Sequence, residues 1–155
     1  MYAHVQMVLY RPFLHHITKK KTDRDFDIRA FACASACIRA SMQVVWLDEA
    51  LDSKGLLHGY YWPILYTTFV SVICLLMFVL SNKSDPTAQE SLSAAVRGYR
   101  ILVKFAKTNQ SVRNFAESLK VIPSQTTKLN DAQLLTHHSH YLIGLQLRSY
   151  VTFPL

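Results

Sequence analysis

The stretch Tyr60–Leu80, YYWPILYTTFVSVICLLMFVL, decides how the rest of the chain is read. It runs for 21 residues without a charge. A helix that is apolar on every side is stable either inside lipid or at the centre of a helical bundle, and about 20 such residues are also what a bilayer span requires. Pro63 near its start and the hydroxyls of Thr67, Thr68 and Ser71 weigh against lipid. So do its flanks, where Lys54 and Lys83 give no basic asymmetry. Hydropathy alone leaves both readings open: the core helix of an all-α domain, or a small single-span membrane protein anchored by residues 60–80.

Outward from this run, Pro12, Pro63, Pro86 and Pro123 each stand where a periodic apolar stretch begins or ends, where a residue lacking its N–H is tolerated. Met1 to Leu14 has no basic segment before its apolar residues and no small-residue cleavage site after them, which argues against a secretory leader. It reads as the later turns of a helix with Tyr2, Val5 and Leu9 on one face, stopped by Arg11-Pro12. A second helix is predicted from about Phe26 to Leu47. Ile28, Ala32, Ile38, Met42 and Val45 recur along it at helical spacing, and Cys33, Ala36, Cys37 and Ala40 widen the buried stripe.

Ser84-Asp85-Pro86 has the form of an N-cap followed by proline in the first turn. The helix it opens is predicted to reach about Lys107. Leu92, Ala95, Val96, Tyr99, Leu102 and Ala106 form its inner face, with Arg97, Arg100, Lys104 and Lys107 opposite. Ser111 is expected to cap a shorter helix carrying Val112, Phe115 and Leu119, which Pro123 ends. These five helices, with almost no alternating runs between glycines, predict an all-α, irregular bundle. Residues 1–123 make up the domain, and 124–155 a polar linker and tail.

Half of the 155 residues are hydrophobic and 12% aromatic, which excludes a disordered segment, and four glycines exclude collagen-like or Gly-linker architectures. Three cysteines do not build a secreted disulfide framework, so a reducing intracellular compartment is expected. Seventeen Lys+Arg against ten Asp+Glu give a formal +7, which permits contact with nucleic acid or an anionic membrane without requiring it.

Asp23-x-Asp25-x-Asp27 opens like a calcium loop, but Ile28 stands where that loop needs glycine and Ala34 where it needs a bidentate glutamate. The acidic turn instead suits the helix N-terminus that follows it. Cys33 and Cys37 lie four apart on one helix face with no second half-site for a metal, and read as small core residues. His15-His16 and the trio His137, His138 and His140 have no residues to orient them as metal ligands. No Gly-rich phosphate loop, G-x-S-x-G elbow or H-E-x-x-H helix occurs, so catalysis is not expected. Lys19, Lys20, Lys21 and Arg24 form a possible basic patch, of the kind found in nuclear-localisation or anion-binding segments and also in ordinary exposed loops.

Taken in order, these landmarks resemble one family, the fungal-specific transcription factor domain, which is the regulatory middle homology region of binuclear zinc-cluster transcription factors. Leu9-Tyr10-Arg11-Pro12-Phe13-Leu14 is similar to the family's L-x-R-P-F signature. Cys33-Ala34-Ser35-Ala36-Cys37 resembles its helix with a cysteine followed by two small residues, and Tyr60-Tyr61-Trp62-Pro63 leads into a long buried helix, as in the family. The amphipathic segment from Ser91 to Phe105 and the short helix ending at Leu119 complete a match over about the first 120 residues. Arg11, Pro12, Phe13, Cys33, Trp62 and Pro63 carry it as structural motif positions.

The resemblance implies a nuclear, non-catalytic helical module concerned with RNA polymerase II transcription. Its partners would be transcriptional co-regulators, small-molecule effectors or the rest of its own parent chain. It also implies that the apolar run is a core helix and not a membrane anchor. A zinc cluster needs six cysteines in repeated Cys-x2-Cys-x6-Cys spacing, which this chain lacks. Zinc and DNA binding are therefore expected only in an N-terminal cluster of the parent, of which this sequence looks like a C-terminal part.

Overall fold

In the computed structural model the described residues are 2–14, 28–58, 61–82 and 85–119. They form five α-helices: α1 (Tyr2–Tyr10), α2 (Ile28–Ser53), α3 (Trp62–Ser81), α4 (Pro86–Phe105) and α5 (Gln110–Leu119), with a 3-10 turn, Arg11–Phe13, directly after α1. No strand occurs among the described residues, and the all-α reading holds. The chain divides into two compact units, residues 1–118 and 119–155.

Each boundary has a local cause. Pro12 lies in the 3-10 turn that closes α1, where its missing N–H costs nothing. At the end of α2, Gly55 adopts φ +66, its N–H reaches Asp52 O at 3.0 Å and the Leu56 N–H reaches Leu51 O at 2.9 Å. That is a Schellman cap, and the left-handed residue it needs is supplied by glycine. Helix α2 therefore runs past the expected Leu47 to Ser53. Pro63 opens α3, and Asn82 closes it with both its backbone N–H and its side-chain amide on Phe78 O. Asp85 caps α4 by accepting from the Thr87 backbone N–H at 2.8 Å. Hydrogen bonds from the Thr87 hydroxyl and backbone hold the Asp85 carboxyl below its usual range. The last helix begins two residues earlier than Ser111 suggests, because Asn109 is the cap: its side-chain oxygen Oδ1 accepts from the N–H groups of Ser111 and Val112.

Thirteen of the twenty residues of α3 are buried, including every residue from Thr68 to Val79. Twelve consecutive buried positions cover all faces of a helix, so α3 is enclosed by protein. Among the described residues α2 and α3 are both long and apolar enough to cross a membrane, and α3 occupies the second environment open to such a helix, the bundle centre. Leu65, Ile73 and Leu75 have no exposed surface, and each contributes about 1.5–3 kcal/mol by leaving water.

The neighbours of α3 follow from its contacts. His4 meets Thr67 and Met7 meets Ser71, so α1 runs alongside α3 in the same direction. Asp48 meets Thr68 and Cys37 lies beside Cys74, so α2 is antiparallel to it. Helix α4 packs most extensively on α3 and also touches α2, and Phe115 of α5 stacks on Phe69 with ring centroids 4.6 Å apart.

The inner faces of α2 and α4 are in part those expected: Cys37, Ile38, Ala40 and Val45 of α2 and Ala95 and Leu102 of α4 are buried as read, and other expected positions are not. In α2 the buried residues are Ala30, Ala34, Cys37, Ile38, Ala40, Ser41, Val44, Val45 and Asp48, whereas Ile28 is 75% exposed and Ala32 lies outside. In α4 they are Ala88, Ser91, Ala94, Ala95, Gly98, Ile101 and Leu102, while Val96 is exposed and Leu92, Tyr99 and Ala106 are half-buried. Close approach of backbones selects small side chains over large ones at the contact line. Gly98 is the extreme case: a Cβ there would stand 2.7 Å from Val72 Cγ2 and 3.1 Å from Val45 Cγ2.

Overpacking of this kind costs about 1–3 kcal/mol, against a gain of up to about 1 kcal/mol for replacing a helical glycine by alanine. Gly98→Ala is therefore expected to lower stability by about 1–2 kcal/mol in urea unfolding. In a double-mutant cycle, Val72→Ala should offset part of that loss. A Gly98→Ala protein more stable than the parent would refute this packing.

Candidate functional site on the central helix

Within the apolar α3, Thr68, Ser71 and Cys74 recur three residues apart and form a polar stripe on one side of the helix. A buried hydroxyl or thiol without a partner is costly. Each of these residues has one, supplied by α1 or α2.

At one end of the stripe, Thr68 Oγ1 lies 2.6 Å from Asp48 Oδ2. Asp48 is 2% exposed, and burial pushes its carboxyl up to about 6, with the Thr68 hydrogen bond acting in the opposite sense. In the middle, Ser71 Oγ donates to Met7 Sδ at 3.2 Å. At the other end, Cys74 and Cys37 face each other across the α2–α3 seam, and Cys37 Sγ donates to Met7 O at 3.6 Å. The neighbouring Cys74 sulfur and burial push the Cys37 thiol up, whereas the charge of Arg11 acts the other way on both sulfurs. Ser41 Oγ donates to Cys37 O at 2.9 Å. All three cysteines are free.

Of the motif positions, Arg11 is buried at 4% exposure and sits beside the Cys37–Cys74 pair. Pro12 is exposed and Phe13 half-buried, and the turn that holds them packs on α2. Cys33 is half-buried, one turn from Cys37. The cysteine at the seam is Cys37. Trp62 and Pro63 are exposed at the start of α3, roughly 16–18 Å along the helix from Cys74, so the motif residues do not converge on one place. Lys19, Lys20, Lys21, Arg24, the Asp23-x-Asp25-x-Asp27 turn, both histidine clusters and residues 124–155 lie outside the described residues.

The basic face expected on α4 is half neutralised. Arg97 Nε pairs with Glu49 Oε2 at 3.3 Å, and Lys104 Nζ with Asp52 Oδ1 at 2.6 Å. Arg100 and Lys107 remain exposed, which is too little for a phosphate-tracking stripe. Among the described residues no three His, Cys, Asp or Glu side chains are grouped to hold a metal.

Meanwhile the outer face of α1 presents Tyr2, Val5 and Leu9, 76%, 57% and 61% exposed. The stripe itself is buried, and apolar side chains open to contact stand on α1 and also on α2, where Ile28 and Trp46 are exposed. Asp48, Thr68, Ser71 and Met7 escape a motif-based reading. The available signal for Asp48 is its register, since Cys37, Ser41, Val44 and Asp48 follow one another at helical spacing.

No family model matches the chain, and no solved structure matches it. Among curated proteins, the chain is 30% identical over 128 residues to Activator of stress genes 1 of Saccharomyces cerevisiae, a match covering 83% of this chain and 13% of that protein. It is 34% identical over 77 residues to Activator of stress genes protein 1 of Candida albicans, covering 50% of this chain and 8% of that protein. The chain therefore spans about an eighth or less of the length of these relatives.

The thiols give a direct check on the site. A thiol reagent should label Cys33 on the folded protein and reach Cys37 and Cys74 only on unfolding. Equal labelling rates for all three would contradict the buried pair.

Proposed function

We propose that this chain is a regulatory, non-catalytic helical region of a fungal zinc-cluster transcription regulator, and that it controls RNA polymerase II transcription in the nucleus through protein or effector contacts. The observation that carries this reading is the similarity to stress-gene activators over 83% of the chain. Support comes also from the ordered motif residues, of which Arg11 is built into the helical core beside Cys37.

The chemistry of the polar stripe agrees with a non-catalytic role. Its Cys37 and Cys74 thiols face each other and its Asp48 carboxyl faces Thr68, all of them buried, whereas a catalytic group must reach a substrate. Zinc, on this reading, belongs to a cluster elsewhere in the parent, and DNA is contacted through that cluster. The partners of this region are co-regulators or other segments of the parent, and the exposed apolar face of α1 is a surface on which such a contact can bury area.

Tethering tests the reading. The 155-residue chain fused to a heterologous DNA-binding domain should change a reporter's output several-fold relative to that domain alone. Leu75→Arg, which places an unpaired charge at a position with no exposed surface, should remove the change. Output equal to that of the DNA-binding domain alone would sink the proposal.

A further inference from the structure

The polar stripe contains one carboxyl, that of Asp48, which is buried against a single neutral partner at the seam between α2 and α3. Thr68 Oγ1 lies 2.6 Å from Asp48 Oδ2 and 2.9 Å from Ile64 O. A hydroxyl has a single proton, and neither a carboxylate nor a carbonyl can donate. Ile64 O keeps its own helical donor, the Thr68 N–H, so Thr68 can donate to an ionised Asp48, and when the carboxyl is protonated the roles reverse. Asp48 then donates to Thr68 Oγ1, and Thr68 donates to Ile64 O.

The surroundings favour the protonated state. Within its own helix, Glu49 and Asp52 turn to α4 and are taken by Arg97 and Lys104. Helix α3 presents Thr68, and α4 presents Gly98, whose missing side chain leaves the Thr68 methyl 3.7 Å from where a Cβ would lie. Helix α1 presents His4, which contacts Thr67 and not Asp48. No cation is paired with Asp48 among the described residues. An ionised carboxylate that is 2% exposed with one neutral donor is poorly compensated.

We propose that Asp48 and Thr68 form a proton-operated latch. With the carboxyl protonated it clamps α2 onto α3 beneath α4; with the carboxyl ionised the clamp loosens, so mild acidification tightens the bundle. The direction follows from linkage. The carboxyl's folded value, about 6, lies above its ordinary 3.8, so the contribution is full below about 3.8 and is lost as pH rises through about 6.

Two measurements on the full chain test the latch. In the first, the Asp48 side-chain carbonyl carbon is followed by NMR on protein with 13C-labelled aspartate. A titration midpoint near 6 is expected, and a midpoint at or below 4 overturns the proposal. In the second, urea unfolding of the parent and of Asp48→Asn is compared at pH 5.0 and 7.5. The carboxyl should make the unfolding constant roughly tenfold larger at pH 7.5 than at pH 5.0. Asparagine, permanently neutral and still able to donate to Thr68, should remove that factor. An equal pH dependence in both proteins overturns the proposal, and the NMR midpoint decides the matter on the parent protein even if the variant does not fold.

Discussion

Twelve consecutive residues of α3, Thr68 to Val79, have to be kept from water on every side at once, and the other helices are composed to meet that requirement. Helix α2 brings alanines, Cys37 and Val45, α4 brings Ala88, Ser91, Ala94, Ala95 and Gly98, and α5 brings Phe115 onto Phe69. Small side chains allow three helix backbones to lie close together, and the large apolar ones of α3 fill the space between them. Without Gly98 the approach of α4 fails at Val72, and with it the covering of one side of α3.

Enclosing α3 so tightly makes its few polar atoms consequential. Thr68, Ser71 and Cys74 each require a partner at a fixed height along the bundle, and Asp48, Met7 and Cys37 meet them. Hydrophobic burial is nearly indifferent to a small slide of one helix along another, whereas three spaced polar contacts are not. The stripe fixes the register of α1 and α2 on α3, and so fixes where the exposed face of α1 stands.

Much of this architecture is written in the sequence. Five helices, Pro12, Pro63 and Pro86 at their ends and the Asp85 cap follow from periodicity and breakers, whereas hydropathy leaves the surroundings of α3 open and the resemblance points to its burial in protein. The faces of α2 and α4 follow only in part, because hydrophobicity ranks Val96 and Ile28 above Ser91, Gly98 and Ala30, whereas close backbone approach ranks them the other way. Lys54-Gly55 marks the end of α2 better than the fading of its apolar pattern does, since the left-handed conformation at Gly55 is what closes it. The Cys37–Cys74 and Asp48–Thr68 pairs join residues 37 and 20 positions apart, and only the antiparallel packing of α2 on α3 brings them together. The Arg11 side chain is likewise found beside the sulfur pair only once α1 is laid against α2.

The central claim is that α3 is the enclosed core of the bundle. Amide hydrogen exchange of the full chain, in aqueous buffer free of detergent and lipid, tests it most directly. The amides of residues 69–79 should be the slowest in the protein and should exchange only through global unfolding, behind those of α1. Exchange of those α3 amides as fast as those of α1 would contradict the account.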